Sequence, residues 1–442
     1  MTEIEVGLIS VGLILVLIYS GLYIPVALGL VSFLGVWLLR GDIEVPIYLL
    51  SLAAADTIAE PTFAVVPLFA LMGLLISEAG VGRDIYDVSN FIFRRLKGGL
   101  GIATVVANAI FASITGSSIA SASVFTKVSI PEMKRFGYNP RFTVGVVAGS
   151  SVLGMLIPPS VMLILYAIIT EQSVGHMFTA GVIPGILLSV AFGVAILTMA
   201  TFFPKLVMSE TAEPIEVTDR PSLNGLQIMR MVLPILLLVG IVLGGIYTGW
   251  FTATEAGAAG AMGALIVAVF KKRLNLKGLW KVLIETGHIT ASILLLLIAA
   301  SMYSRMLGIA GLPTIFSEWI QAQALGFAAI MVIYVVILIL MGTILDTVSI
   351  ILIIVPLFLP ILEPMGIHLV WFGIVTVIGA EIGLLTPPLG VSCFVIHSSL
   401  NDPDISLSDI FKGAFPFALI MLAVLILIIL FPSLSLVFIR GL

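Results

Sequence analysis

Two pairs of adjacent prolines, Pro158-Pro159 and Pro387-Pro388, stand inside long apolar stretches of the chain. A prolyl nitrogen carries no hydrogen, so in a helix the carbonyl four residues earlier loses its donor. By that rule the first pair releases the carbonyls of Gly154 and Met155, and the second those of Gly383 and Leu384. The residues before the prolines, Ile157 and Thr386, are pushed out of helical geometry. Each pair therefore predicts two half-helices with free carbonyl oxygens between them. Such oxygens suit a hard cation such as Na⁺, and half-helix N-termini favour an anion.

Two further apolar stretches break in the middle. One carries Thr115-Gly116-Ser117-Ser118 among Ser113, Ser121 and Ser123; the other carries Gly342-Thr343, then Asp346-Thr347 and Ser349. Hydroxyls, exposed carbonyls and one carboxylate are again oxygen ligands for a hard cation. Asp346, Glu381 and Glu255 are carboxylates in apolar surroundings, where a charge is costly and points to function. Asp346 is the best cation ligand by type. Glu255 lies near an expected helix end, where a structural hydrogen bond is as good a reading. Arg305 stands near an outer helix end with no acid close in sequence, so it either meets an anionic substrate or snorkels. The histidines and Cys393 read as packing residues. The chain has no phosphate loop of the Gly-Lys-Ser/Thr type, no His-Glu metalloprotease pair and no serine-nucleophile elbow.

The elements that must hold these residues are read from composition. The 442 residues are 60% hydrophobic and only 10% charged, with mean hydropathy +1.25. That excludes an ordinary soluble enzyme and a disordered chain. A net charge of -4 leaves no basic footprint for nucleic acid. The single cysteine and four scattered histidines exclude a disulfide framework and a multi-histidine metal site. What remains is an all-α polytopic membrane protein. Spanning helices are expected over 6–20, 24–39, 61–79, 142–170, 176–202, 230–248, 254–270, 280–303, 370–399 and 411–432, with arm helices along the membrane over 85–97 and 313–323. The stretches 99–130 and 325–362 read as re-entrant hairpins, whose tips need cover by protein or a water-filled cavity.

With the N-terminus outside and ten crossings, seventeen of the 20 Lys and Arg fall on the cytoplasmic side, leaving Arg40, Arg305 and Arg440 outside. The acidic start, Met1-Thr2-Glu3-Ile4-Glu5, does not resemble a cleaved signal peptide. The chain also repeats itself at an offset near 229: Gly154 falls on Gly383, Pro158-Pro159 on Pro387-Pro388, Ser117 on Asp346 and Gly82 on Gly311. Residues 1–203 and 230–442 are thus expected to be two copies of one unit, joined by a polar linker over 204–229. Five crossings plus a hairpin in each copy force the second to be inverted. Inverted repeats with discontinuous helices mark secondary transporters.

At these motifs the chain resembles a known family. The Thr115–Ser118 tip, Thr254-Glu255-Ala256, the Gly342–Thr347 tip and Glu381–Pro388 are similar to the large membrane subunit of TRAP (tripartite ATP-independent periplasmic) transporters, over nearly the whole chain. The resemblance implies an elevator mechanism within a broader ion-transporter superfamily, and Na⁺ symport of organic anions such as C4-dicarboxylates, sialic acid or other sugar acids. It also implies a periplasmic substrate-binding protein and a small four-helix membrane subunit, here expected as a separate polypeptide, at the inner membrane. Carried over residue by residue, the Na⁺ candidates are Thr115, Ser117, Ser118, Gly154 and Pro158 in the first half. In the second they are Thr343, Asp346, Gly383, Thr386 and Pro387. Candidate substrate contacts are Gly116, Ser117, Pro159, Thr347, Glu381, Pro388 and Arg305. Ile157 stands where its repeat mate is Thr386, so the two sites cannot have identical ligands. The rival readings are a stand-alone Na⁺/dicarboxylate or citrate carrier of the same superfamily and, from another class, an ion channel or membrane scaffold.

Overall fold

The computed structural model describes residues 2–209, 223–323, 326–362, 365–400 and 402–439. Among them the backbone is helical throughout, apart from a single antiparallel bridge between Tyr138 and Met208. The expected linker residues Glu210, Glu213, Pro214, Glu216, Asp219 and Pro221, and the charges Arg220 and Arg440, lie outside the described residues.

The first half runs α1 (Glu3–Tyr19), α2 (Ile24–Arg40), α3 (Glu44–Ala59), a 3-10 turn (Pro61–Ala64) and α4 (Val65–Glu78). Then come α5 (Val81–Phe93), α6 (Gly99–Thr115), α7 (Ser118–Arg135), α8 (Pro140–Ser151), α9 (Leu153–Leu156), α10 (Val161–Ile169), α11 (Val174–Phe202) and α12 (Pro204–Val207). The second half runs α13 (Gly225–Tyr247), α14 (Ala253–Phe270), α15 (Leu276–Ile309), α16 (Leu312–Ala322), α17 (Phe327–Gly342), α18 (Thr347–Leu362), α19 (Leu369–Leu384), α20 (Val391–Leu400), α21 (Leu407–Leu430) and α22 (Ser433–Leu436).

Two elements differ from the sequence reading. α3 has no counterpart in it: Pro46 in the first turn is tolerated there, while Ala53-Ala54-Ala55-Asp56-Thr57 dilutes the apolar signal that marks a span. The expected linker is also shorter, because α13 begins at Gly225 under a capping box of Asn224 and Gln227. Before it, the Asn139 amide donates to Val207 O at 2.9 Å and the Ser209 amide to Gly137 O at 2.8 Å. These bonds fasten the start of the linker to the α7–α8 turn.

Among the described residues six helical stretches are long and apolar enough to cross a membrane, and the bent α8–α10 stretch makes a seventh. Apolar side chains cover their outer faces: Leu233, Leu236 and Leu237 of α13 are exposed. With lipid as the surrounding solvent such faces need no protein partner. The hairpin and broken helices behave oppositely. Every residue from Val370 to Leu384 in α19 is buried, as are most of α6. The interrupted elements therefore occupy the middle and the continuous helices the rim. The halves interlock there, with α2 packed along α15, α4 along α14, and α8 against α21. Ion pairs tie one end of the centre: Lys134 to Asp402, and Arg141 Nε to Asp409 Oδ1 at 2.6 Å.

Candidate functional site

The first interrupted hairpin turns over two residues. Gly116 takes φ +58, a left-handed geometry that ends α6, and Ser117 is extended and caps α7 by accepting from the Ala120 amide. The broken helix bends by 43° between Leu156 and Val161. Ile157, before the proline pair, is extended (φ -79, ψ 123), as the steric rule requires. Ser160 then caps α10. Tip and break touch: a Cβ at Gly116 would sit 3.1 Å from the Val161 amide nitrogen, and one at Gly154 would sit 2.6 Å from Ala112 Cβ.

The second half repeats this with different chemistry. α17 ends at Gly342, and Asp346 occupies the position that Ser117 holds in the first half. Its carboxylate accepts from the amides of Val348 at 3.1 Å and Ser349 at 3.4 Å, and from the Ser349 hydroxyl. Thr343 O accepts from the amides of Leu389 and Gly390 at 3.2 and 3.3 Å, which joins the tip to the Pro387-Pro388 break. Gly342 and Gly383 press backbone to backbone, since a Cβ at Gly383 would lie 2.4 Å from Gly342 Cα. The two peptide bonds Pro158-Pro159 and Pro387-Pro388 are both cis.

The halves also meet at these points. Ser399 Oγ donates to Ser123 Oγ at 3.4 Å, and Lys134 pairs with Asp402, so α7 and α20 run side by side in the same direction. Their N-termini, at the first tip and the second break, therefore lie at similar depth. α10 packs on α18, and their later residues, Ala167–Ile169 and Leu352, Pro356, Leu359 and Pro360, line one cavity of about 810 Å³. Helices α7, α10, α18 and α20 thus all begin at a tip or a break, with α7 packed on α20 and α10 on α18. Helix N-termini carry a positive potential.

Oxygen atoms face this region without donors. The buried Ser118 Oγ, Ser121 Oγ, Ser392 Oγ and Glu381 Oε2 have no hydrogen-bond partner. The other carboxylate oxygen, Glu381 Oε1, accepts from Thr347 Oγ1 at 2.7 Å. Thr115, Thr343 and Thr386 donate their hydroxyl protons to the carbonyls of Phe111, Leu340 and Ile382. A hydroxyl whose proton is engaged in this way presents only lone pairs, the form a cation ligand needs. Among the described residues no group of three His, Cys, Asp or Glu could hold a metal. Ligands for a hard cation here are therefore chiefly neutral oxygens, with at most two carboxylates beside them.

Several expectations change at this level. The released carbonyls are not all bare: Met155 O accepts from Ser160 Oγ at 2.6 Å, and Gly383 O from the Thr386 amide at 2.9 Å. A serine side chain beyond the first pair and a backbone amide before the second supply donors that the prolines withhold. Arg305 does have an acid: its Nη2 donates to Asp56 Oδ2 at 2.7 Å, on the wall of the 810 Å³ cavity and away from the tips. That partner is 249 residues away in sequence and so invisible to local inspection. Glu255 forms a capping box with Thr252, the structural of its two readings. Ser160, Ser392 and the buried Asn108–Ser150 bond of 2.8 Å were not singled out by sequence. Only Ser160 had a local signal, as a serine opening the helix after a double proline.

The likeness to known proteins covers the same elements. The family model of the tripartite ATP-independent periplasmic transporter, DctM component, matches residues 11–434. The C4-dicarboxylate TRAP transporter large permease protein DctM of Pseudomonas aeruginosa is 34% identical over 389 residues, 88% of each chain. The sialic acid TRAP transporter large permease protein SiaM of Vibrio cholerae is 28% identical, covering 85% of each chain. The isethionate TRAP transporter permease protein DctMQ of Oleidesulfovibrio alaskensis is 28% identical over 94% of this chain and 64% of its own. Among solved structures, the YdaH transporter of Alcanivorax borkumensis shares the fold with TM-score 0.61 at 15% identity, over 90% of both chains. MtrF of Neisseria gonorrhoeae does so with TM-score 0.60 at 9% identity, over 90% of this chain and 85% of its own. By the extent of these matches, the chain belongs to the DctM family, the large membrane subunits of TRAP transporters.

Proposed function

We propose that this protein carries an organic anion across the inner membrane together with Na⁺, by movement of its central interrupted helices against the outer helices. The observation that carries this reading is the contact of each hairpin tip with a broken helix, on elements that hold the buried, unpartnered oxygens of Ser118, Ser121, Ser392 and Glu381. The amide ends favour a substrate carboxylate. The lone pairs of Thr115, Ser117 and Ser118 beside Gly154 and Pro158 form one cation position. Those of Thr343, Asp346 and Thr386 beside Gly383 and Pro387 form the other. Gly116, Pro159, Thr347, Glu381 and Pro388 would face the substrate between them. Arg305 falls outside this set because Asp56 already neutralises it.

Two inverted copies support the moving unit. The swapped packing of α2 on α15 and α4 on α14 is what a two-fold between halves would produce, with α2 matching α14 and α4 matching α15. The ten-crossing topology with the N-terminus outside keeps seventeen Lys and Arg on the cytoplasmic side. Each net positive charge carried inward gains ~2.3 kcal/mol per 100 mV, or ~50-fold accumulation. The relatives are described as transporters of C4-dicarboxylates and sialic acid, so acids of this class are the substrates to try first. A periplasmic binding protein delivers the acid, and a small membrane subunit completes the scaffold.

The test is uptake by the assembled complex in liposomes. An inward Na⁺ gradient should drive accumulation of an acid supplied on its binding protein. Uptake that ignores the Na⁺ gradient, or proceeds equally without binding protein, would overturn the coupling or favour a stand-alone carrier.

A further inference from the structure

A groove of about 840 Å³ lies between α5, α13 and α14, and none of the tip or break residues lines it. Its walls are apolar and open outward: Leu233, Leu237 and Ile241 of α13 and Ile266 of α14 are exposed. One end is basic. Arg230 projects there from the first turns of α13 and makes no ion pair among the described residues. Lys271 and Arg273, just beyond the end of α14, complete that end. Both pair with the buried Asp84 of α5, Arg273 Nη1 reaching its two oxygens at 3.2 and 3.3 Å. Three positive charges against one negative leave a net surplus of two at the head of an apolar slot.

We infer that this groove seats an anionic phospholipid of the cytoplasmic leaflet, with its phosphate on Arg230 and Arg273 and an acyl chain along α13. Length fits this occupant. From Arg230 to Ile241 the helix rises ~16 Å, about half of the ~30 Å hydrocarbon core and so one leaflet deep. Charge fits it too, since basic pockets between helices on the cytoplasmic side select anionic headgroups. The structure supplies the pocket with anchors rather than a loose attraction. Arg273 is held by Asp84 and by the carbonyls of Ala79 and Gly80 at 3.2 Å each, so its guanidinium is fixed before a lipid arrives. The bound lipid would then tether the arm helix α5, which carries Asp84, to the outer helices α13 and α14.

The claim can be tested without any transport measurement, so its failure is separate from failure of the transport reading. The complex with its small membrane subunit is purified, and native mass spectrometry follows binding of phosphatidylglycerol and of phosphatidylcholine with the same chains. The expected result is at least ~10-fold tighter binding of phosphatidylglycerol. Arg230→Gln, at an exposed position that should not disturb folding, should reduce that preference ~5-fold and leave phosphatidylcholine unchanged. Lys277→Gln removes an exposed charge that does not line the groove and should change neither. Equal affinities for the two lipids, or equal losses in the two variants, would overturn the proposal. So would lipid that binds only after the small subunit is stripped away, because the groove would then seat a protein helix.

Discussion

Gly383→Ala places one methyl group where the second hairpin tip meets the second break. The new Cβ would lie 2.4 Å from Gly342 Cα, 2.7 Å from Gly342 C and 2.7 Å from Ile339 O. All three are backbone atoms, so no side-chain rotation relieves the clash. Ordinary contact requires α17 and α19 to part by about 1 Å, and overpacking of this kind costs ~1–3 kcal/mol. Any equilibrium that needs the closed tip, including ordering of the cation position, should weaken by ~5- to ~150-fold. The same opening strains the bonds from the Leu389 and Gly390 amides to Thr343 O. The assay is Na⁺-dependent stabilisation, read as the change in Tm between sodium and choline chloride, beside uptake in liposomes. Gly342→Ala meets the same partners, 2.6 Å from Ala380 O and 2.8 Å from Gly383 Cα. The double variant should therefore cost less than the sum of the singles, because the gap is opened once. Gly193→Ala on α11 is the control, since its Cβ meets nothing within 4 Å and a helical alanine is preferred by ~0.5–1 kcal/mol. A Gly383→Ala protein with wild-type sodium response and uptake would refute the reasoning that tip and break form one close-packed site.

Other outcomes follow from single contacts. Asp346→Asn keeps an acceptor for the amides of Val348 and Ser349 but loses the charge. It should melt near wild type with a sodium midpoint raised ~10-fold, whereas Asp346→Ala should also lose ~1 kcal/mol of helix cap. If both variants kept a wild-type sodium response, Asp346 would be a cap and nothing more. Arg305→Gln breaks a partly exposed pair with Asp56, so stability should change by less than ~1 kcal/mol and uptake should persist. Loss of substrate affinity with unchanged Tm would return Arg305 to the site. The Lys134 ammonium hydrogen-bonded to Asp402 holds that carboxyl below the usual range. A depressed carboxyl stabilises above its unfolded value of ~3.9, and the contribution disappears as pH falls through the folded value. Lys134→Met should therefore lower Tm at pH 6 and 7, with the gap to wild type closing below about pH 4. A gap that persisted in acid would mean that the loss comes from packing.

The breaks and tips were legible because they are local events. A double proline interrupts a helix wherever it occurs, and Ile157 adopts the extended geometry that the following ring dictates. Gly116 and Ser117 form a turn because glycine tolerates positive φ and serine caps the next helix. The capping of α18 by Asp346 was not read from the sequence, where the carboxylate stood as a cation ligand. α3 escaped because hydropathy measures contact with lipid, and a short helix holding Asp56 and Thr57 gives a weak signal.

Composition and short-range sterics alone made this an all-helical membrane chain and located its four interruptions. Only the tertiary structure decided which interruptions face each other. It also decided that Thr347 serves Glu381, that Asp56 neutralises Arg305, that Ser160 takes up the Met155 carbonyl, and that α7 packs on α20 and α10 on α18. The division has a physical cause. Backbone geometry depends on neighbours a few residues away, whereas the cost of a buried charge or an orphaned oxygen depends on whatever the fold brings within 3 Å, here from residues as far as 268 positions distant.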